Sequence, residues 1–232
     1  EVGRRGVPLV AVKVASTSYF TDSQGLVAFC DPAQLGKALV FSLQSHGYAP
    51  LTTPPIMAAA GKEQAVDLVR TNVAERLYRV TGGGIYRDSV LLGRKTPLAH
   101  PVIEGLVHGQ DTVAATRYQG KLFWIWGDTN RPAYALGNFR ASGARSELPS
   151  AGGLDPRAGV DLTYIVDANG FSRPVTEVLA PENAPTWLGS LLAVPDAQGT
   201  SRLFATFVKP DAKLAITRAG LVRFDDGAQI FR

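Results

Sequence analysis

The chain has very few of the residues from which disulfide and metal sites are built. Its 232 residues include one cysteine and three histidines. A single cysteine cannot form an intrachain disulfide, and Cys30, within the apolar run LVAFC, is predicted to be a buried, inert thiol. The three histidines are not spaced like a pair of metal ligands. We therefore predict neither a metal site nor a cofactor.

Two further absences limit the class of protein. No apolar run approaches the roughly 20 residues of a membrane-spanning helix, so no membrane-spanning segment is predicted. The formal net charge is only +4, from 24 basic and 20 acidic residues without a basic block, and nucleic acid is not a predicted partner. The triple glycine at 82–84 lacks the Lys-Ser or Lys-Thr of a phosphate-binding loop, so we interpret it as a hinge.

The chain is rich in turn residues, with 24 glycines and 15 prolines. This composition favours many short strands over long helices and predicts an all-β fold. Near the N-terminus, the segment GVPLVAVKVAS places Val10, Val12 and Val14 on one strand face. The other predicted elements here are strands over KALVFSLQSHGYAP and EQAVDLVR, a turn at 21–25 and a helical turn begun by Asp31 and Pro32. We interpret residues 1–72 as a small β-sandwich.

The rest of the chain is predicted to be a joint followed by a second module. Asn72 and Glu75 resemble a capping box, so residues 73–100 are expected to hold a short helix ending near Val80. Residues 101–232 repeat strand patterns with Gly, Asn and Asp turns, which is typical of propeller-like antiparallel sheets. Those strands are expected over VAATRYQ, KLFWIWG, DLTYIVDANGF, WLGSLLAVPDAQGTSRLFATFVK and GLVRFDDGAQIF, with a long insertion over residues 130–160.

The first module resembles a known extracellular domain. The T-D-x-x-G turn at 21–25, the aromatic-containing strand after it and His46-Gly47-Tyr48 are similar to the carboxypeptidase regulatory-like, or transthyretin-like, domain. The resemblance implies a stalk or spacer, with His46 in a structural role. A start at Glu1, without a methionine or a signal peptide, is also expected of an exported and cleaved protein. We therefore predict an extracytoplasmic location, periplasmic or secreted.

The second module resembles part of a propeller. Its aromatic strand ends at Gly127-Asp128-Thr129, and G-x-D lies upstream at 109–111. This pattern is similar to the opening blade of five-bladed β-propellers of the glycoside-hydrolase type. A four-stranded blade takes about 40 to 50 residues, so residues 101–232 hold three blades at most. We therefore expect an incomplete propeller that is covered by another protein.

The propeller resemblance implies one candidate activity, glycoside hydrolysis or glycan binding. Asp128 and Asp111 match the two motifs and are the candidate catalytic carboxylates, expected within about 5 to 10 Å of each other. The alternative is that each aspartate only caps a turn. Trp126, Arg131, Tyr134 and Arg140 are the candidate substrate-binding residues. Because Trp124 and Trp126 share a strand face, at least one of them is expected in the core.

The other hypothesis, which ranks first, is a non-catalytic accessory or scaffold subunit of a larger assembly. An open β-module must cover its apolar face and strand edges, and a partner protein is the usual cover. The interface is expected to include the 130–160 insertion and the strand edges near 215–232. Arg131, Arg140 and Arg145 are expected at its rim. The sequence leaves open whether the chain is an enzyme.

Overall fold

The computed structural model describes residues 5–132, 141–177, 179–180 and 184–232. It is nearly all β, with 37% strand and 5% helix, which confirms the predicted all-β class. Contacts divide the chain into two compact units, Glu1–Arg79 with Gly84–Thr96 and Val80–Gly83 with Pro97–Arg232. Residues of the predicted joint are thus divided between the units. No helix of the described residues is long and apolar enough to cross a membrane.

The first unit contains six short strands and one short helix. They are β1 (Ala11–Val14), β2 (Thr17–Phe20), β3 (Ala38–Leu39), β4 (Ser42–Gln44), β5 (Leu51–Thr52), β6 (Ile56–Met57) and α1 (Arg87–Leu91). Four strands form an antiparallel sheet in the order β2-β1-β4-β5, and β3 pairs with β6. Val10 and Val14 are buried while Lys13 is exposed, as the alternation predicts. The helical turn at Pro32–Gln34 is also confirmed, capped by the Asp31 carboxylate.

Several predictions for the first unit are wrong. Residues 63–69 form no strand, and Arg70 makes only an isolated bridge to Tyr48. The helix expected after Asn72 is absent; its carboxamide oxygen instead accepts the amide of Ala74 in a local turn. Val73 is 97% exposed, so a helix there would have no apolar face to bury. Cys30, predicted to be buried, is exposed.

The second unit contains two larger antiparallel sheets. Its strands are β7 (Gly109–Gln110), β8 (Val113–Tyr118), β9 (Lys121–Trp126), β10 (Thr129–Asn130), β11 (Ser142–Glu147), β12 (Thr163–Tyr164), β13 (Trp187–Pro195), β14 (Ser201–Pro210), β15 (Ile216–Asp225) and β16 (Ile230–Phe231). The first sheet has the order β8-β9-β11-β12 and the second β13-β14-β15-β16. The four strands of the second sheet are consecutive in the chain, whereas in the first sheet β10 lies between β9 and β11 in the chain and pairs with β7 instead.

One hydrophobic core joins the facing sides of these two sheets. Its buried members are Tyr118, Phe123, Ile125, Ala141, Ile165, Val175, Leu188, Leu203, Ala205, Phe207, Val222, Phe224 and Phe231. Along β9, Phe123 and Ile125 point into this core. On the other face of the same strand, Trp126 packs in a second core cluster. The prediction that at least one of the two tryptophans lies in the core is therefore confirmed.

The expectation of a long insertion over residues 130–160 is wrong for its central part. Ser142–Glu147 forms β11, which lies between β9 and β12 in the first sheet. Its small residues allow this position. A Cβ on Gly143 would lie only 3.0 Å from Val175 Cγ1, so a larger residue there would crowd Val175. A central strand without large apolar side chains has no hydrophobic signature in the sequence.

A single turn design occurs four times among the residues that the structure describes. In each copy an aspartate carboxylate accepts the backbone amides two and four residues later, and the residue three positions later has positive φ. The aspartates are Asp22, Asp167, Asp196 and Asp211. Such side-chain turns replace backbone hydrogen bonds that a tight loop cannot make. The predicted turn at 21–25 is the first of these copies.

Candidate functional site

The two predicted carboxylates lie opposite each other on one hairpin. Strands β7 and β8 run antiparallel to β10 and β9, with Gln110 paired to Thr129 and Val113 paired to Trp126. The same register puts Asp111 opposite Asp128, and the Asp111 amide donates to the Asp128 carbonyl at 3.1 Å. Directly opposite residues of an antiparallel pair have Cβ atoms about 5 Å apart. The structure thus brings the two aspartates together where the hairpin is interrupted.

The environment of Asp128 favours its protonated form. Both aspartates are exposed. Partial desolvation of the carboxyl, followed by the negative charge of Asp111, raises the pKa of Asp128. Like charges directly across a ladder are destabilising. Perturbed carboxyls of this kind are found at functional sites, although structural pairs also occur.

Local backbone geometry holds the pair in place. Thr112 has φ of 47°, and its hydroxyl donates to Asp111 Oδ1 at 2.5 Å. The Gly127 amide donates to the Asp111 carbonyl at 2.9 Å. A Cβ on Gly127 would lie 3.2 Å from Asp111 Oδ1, so glycine permits this close approach. Within the described residues, the Asp128 carboxylate caps no turn.

A buried polar network lies next to the pair, and sequence reasoning missed it. The Tyr164 hydroxyl donates to Gln110 Oε1 at 2.7 Å, and Gln110 Nε2 donates to Ser142 Oγ at 2.7 Å. The hydroxyls of Ser142 and Thr129 are 2.6 Å apart. Burial, and then the charge of Glu104, raises the pKa of Tyr164, which keeps its hydroxyl a donor. The only sequence signal was that Gln110 and Thr129 belong to the two aspartate motifs.

Trp126 is not placed to stack on a sugar. It is 4% exposed and stacks on Trp124 with ring centroids 6.1 Å apart and planes at 11°. Tyr164 covers it at 5.5 Å. The predicted substrate-binding role therefore needs correction, because the ring is used inside the second unit. Trp124 is half-buried, and its indole nitrogen donates to Ser146 Oγ at 2.9 Å.

The predicted arginines are also used by the fold where the structure describes them. Arg131 is buried, and its guanidinium donates to the Ser172 carbonyl at 2.7 Å. The prediction that Arg131 lies at the solvent-exposed rim of an interface is therefore wrong. The guanidinium of Arg145 lies over the ring of Phe123 at 5.3 Å. Tyr134 and Arg140, the other two predicted substrate-binding residues, lie outside the described residues.

The outer face of the second sheet exposes large apolar side chains. Register pairs Leu192 with Phe204, and Thr206 with Leu221, on the face opposite buried Ala205. Leu192 is 58% exposed and Leu221 is 70% exposed. The same face also carries exposed Thr206 and Arg223, with Arg223 opposite the half-buried Phe204. This outer face, defined by Leu192, Phe204 and Leu221, is a second candidate site.

The β14–β15 hairpin extends this surface beyond the core. Every residue from 211 to 221 is exposed. Among the described residues, β16 pairs with β15 only at its C-terminal end, through Phe224 and Asp225. The preceding part of the β15 edge therefore presents unpaired backbone groups, which can accept another strand.

The described residues contain no group of three or more His, Cys, Asp or Glu side chains able to hold a metal ion. Comparison with family models, with curated proteins and with solved structures finds no match for this chain. The two family resemblances therefore remain predictions.

Proposed function

We propose that this chain is a non-catalytic accessory or scaffold subunit of a larger protein assembly, located outside the cytoplasm. The observation that carries the proposal is the outer face of the second sheet, with the open edge of β15 beside it. The resemblance of residues 21–48 to domains of extracellular proteins supports the extracytoplasmic location.

Hydrophobic burial supports a protein partner for this face. Each large apolar side chain moved from water into an interface contributes about 1.5–3 kcal/mol if fully buried. Leu192 and Leu221 are more than half exposed, so most of that contribution is unused within the chain. An edge strand with free amides and carbonyls adds directional hydrogen bonds to the same surface. Apolar area and an open edge together are typical of an association surface.

The residues expected to bind a sugar favour this proposal over catalysis. Trp126 and Arg131 have their aromatic face and guanidinium engaged inside the second unit. What remains at the hairpin is a pair of exposed aspartates. An efficient glycosidase site needs a sugar-binding cleft around its acids, and these two side chains are not enclosed.

One specific observation keeps a second candidate function, glycan binding or hydrolysis with Asp128 and Asp111. The chain places two like charges at directly opposite positions, and carboxyl pairs of this kind occur at functional sites. A glycan panel assayed with the wild type and Asp128→Asn tests this candidate. Turnover or binding that is lost in Asp128→Asn favours it, and an identical profile for both proteins rejects it.

Site-specific crosslinking tests the scaffold proposal. In a Cys30→Ser background, a cysteine introduced at position 192 is labelled with a benzophenone group, and the labelled protein is added to an extract of the native source. The matched control is labelled at a cysteine that replaces Arg117, an exposed residue on edge strand β8 of the first sheet. We expect one discrete protein adduct from position 192, competed by unlabelled chain, and none from position 117. Equal, uncompeted labelling at both positions, or no adduct, contradicts the proposal.

A further inference from the structure

Strand β16 pairs with only one end of β15, and its hydrogen bonds show which backbone groups of β15 face the open edge. The Arg223 amide donates to the Arg232 carbonyl at 2.9 Å, and the Arg232 amide donates to the Arg223 carbonyl at 3.0 Å. Arg223 therefore directs both of its backbone groups toward β16. Alternate residues of a strand direct these groups to the same side, so Leu221 and Ala219 direct theirs to this edge as well.

These two residues form the regular part of the open edge. Within the described residues, β15 pairs only with β14 and, at its C-terminal end, with β16. Toward the hairpin tip, the β14–β15 register shifts between Lys209 and Pro210 and interrupts the regular strand. The amides and carbonyls of Ala219 and Leu221 are thus placed to bind one further strand.

The charges along this edge are positive. Residues 212–224 include Lys213, Arg218 and Arg223 and no Asp or Glu. Lys213 lies at the tip of the hairpin, close in sequence to the charged Asp211, so Arg218 and Arg223 are the charges of the strand itself. Arg218 lies on the inner face of the sheet and Arg223 on the outer face. Each face of the edge therefore carries one cation.

The contacts that the structure shows for these cations leave their charges uncompensated. The guanidinium of Arg218 lies over the ring of Phe207 at 5.5 Å and donates to a backbone carbonyl, and neither group carries a charge. Arg223 is exposed, and Asp225, the nearest acidic residue in sequence, forms an ion pair with Arg232. The edge therefore favours carboxylates on an incoming strand.

The same charges oppose pairing with a second copy of this chain. Two β15 edges placed together would bring four arginines into one ladder, with no acidic residue of 212–224 to offset them. Like charges on paired strands are destabilising, and edge charges are a common means of preventing self-association. The occupant that fits is a strand of different, acidic composition.

We propose that the open edge of β15 accepts an extended, acidic segment of the partner protein, which adds a strand by hydrogen bonding to Ala219 and Leu221. This inference rests on the proposed scaffold function and states how the partner binds. A carboxylate opposite Leu221 would be diagonal to Arg223, within reach of its long side chain. An apolar residue opposite Ala219 would be diagonal to Leu221. We therefore expect an apolar and an acidic residue two positions apart in the bound segment.

Amide hydrogen exchange distinguishes strand addition from simple coverage of the outer face. The protein captured at position 192 is purified and added to the wild type. We expect exchange of the Ala219 and Leu221 amides to slow at least tenfold. The amides of Gly220 and Val222 already point toward β14 and should slow less. Unchanged exchange at Ala219 and Leu221 in the complex overturns the inference.

Charge reversal tests the acidic character of the segment. Arg223 is exposed, so Arg223→Glu is expected to fold as the wild type does and to weaken binding of the captured protein at least tenfold. The matched control is Arg117→Glu, the same charge change at an exposed position on edge strand β8, with binding expected within twofold of wild type. Equal effects of the two substitutions contradict the inference.

The two proposals can fail separately. A photoreactive amino acid at position 219 is expected to give an adduct with an Asp- or Glu-containing segment of the captured protein. An adduct with a second copy of this chain, or with a segment that lacks acidic residues, removes the strand proposal and leaves the scaffold function standing. If position 192 captures no protein, both proposals are removed.

Discussion

The two sheets of the second unit have the same design but different outer faces. The outer face of the first sheet carries Trp126, which Val107, Leu162 and Tyr164 bury from the same unit. The outer face of the second sheet carries Leu192 and Leu221, which remain exposed. Both outer faces carry large apolar side chains, so the alternation pattern alone does not tell which face the fold covers. An outer face that other residues of the unit cover is part of the fold, whereas an exposed outer face is available for association.

The largest expected effect is on the covered face. We expect Trp126→Ala to lower the free energy of unfolding by about 3–5 kcal/mol, because it removes a large buried ring and leaves a cavity. Denaturant titration followed by circular dichroism measures the change. A stability close to that of the wild type would show that Trp126 is not a core residue, and would restore the interpretation that it binds a ligand.

The buried network beside the aspartates should give the next largest effect. Ser142→Ala removes a hydroxyl that contacts both Gln110 and Thr129. Leaving buried polar groups without this partner is expected to cost about 1–3 kcal/mol in unfolding free energy. The control is Ser146→Ala on the same strand. The Ser146 hydroxyl accepts a hydrogen bond from the half-buried Trp124, so we expect this variant to lose less unfolding free energy. Equal losses in the two variants would contradict a special role for the network.

Asp128→Asn is expected to act in the opposite direction and by a smaller amount. Because the pKa of Asp128 is raised in the folded state, the folded chain holds its proton more tightly than the unfolded chain. Wild-type stability should therefore fall as pH rises from the ordinary value of 3.8 through the raised folded pKa. Above that window the variant is expected to be more stable by about 0.2–1 kcal/mol, near the low end because solvent screens the pair.

Salt provides the check on this electrostatic explanation. Urea titrations at pH 3 and pH 7 measure the pH dependence, and 1 M NaCl should reduce the difference between the two proteins at pH 7. A variant less stable than the wild type at pH 7, at low salt, would mean that Asp128 makes a favourable interaction instead of a repulsive one with Asp111.

The bare face should give the smallest effect on stability. Leu221→Ser is expected to change the unfolding free energy by no more than about 0.5 kcal/mol, because the side chain is already 70% exposed. The same substitution should weaken the adduct formed from position 192. A loss of several kcal/mol in the isolated chain would show that this face packs within the fold.

Strong alternation made much of the second unit predictable from the sequence. Segments β8, β9, β13 and β14 combine apolar alternation with aromatic or branched side chains and were predicted as strands, and β15 was predicted from Gly220 onward. Strand β11 was missed because its sequence, SGARSE, has no hydrophobic pattern. Its place is set by neighbours distant in sequence, Val175 among them. Tertiary contacts of this kind cannot be predicted from a short segment of sequence.

Side-chain roles were less predictable than strands. The two aspartate motifs lie opposite each other because β7 pairs with β10 and β8 pairs with β9 in one continuous register. The burial of Arg131 could not be foreseen, since its acceptor, the Ser172 carbonyl, lies 41 residues away.

The most direct test of the central claim is the mass of the particle that contains this chain in its native source. Size-exclusion chromatography with light scattering, after crosslinking from position 192, measures it. We expect a discrete complex larger than 24.7 kDa that contains a second protein and whose yield falls with Leu221→Ser. A stable 24.7 kDa monomer with no partner retained would contradict it.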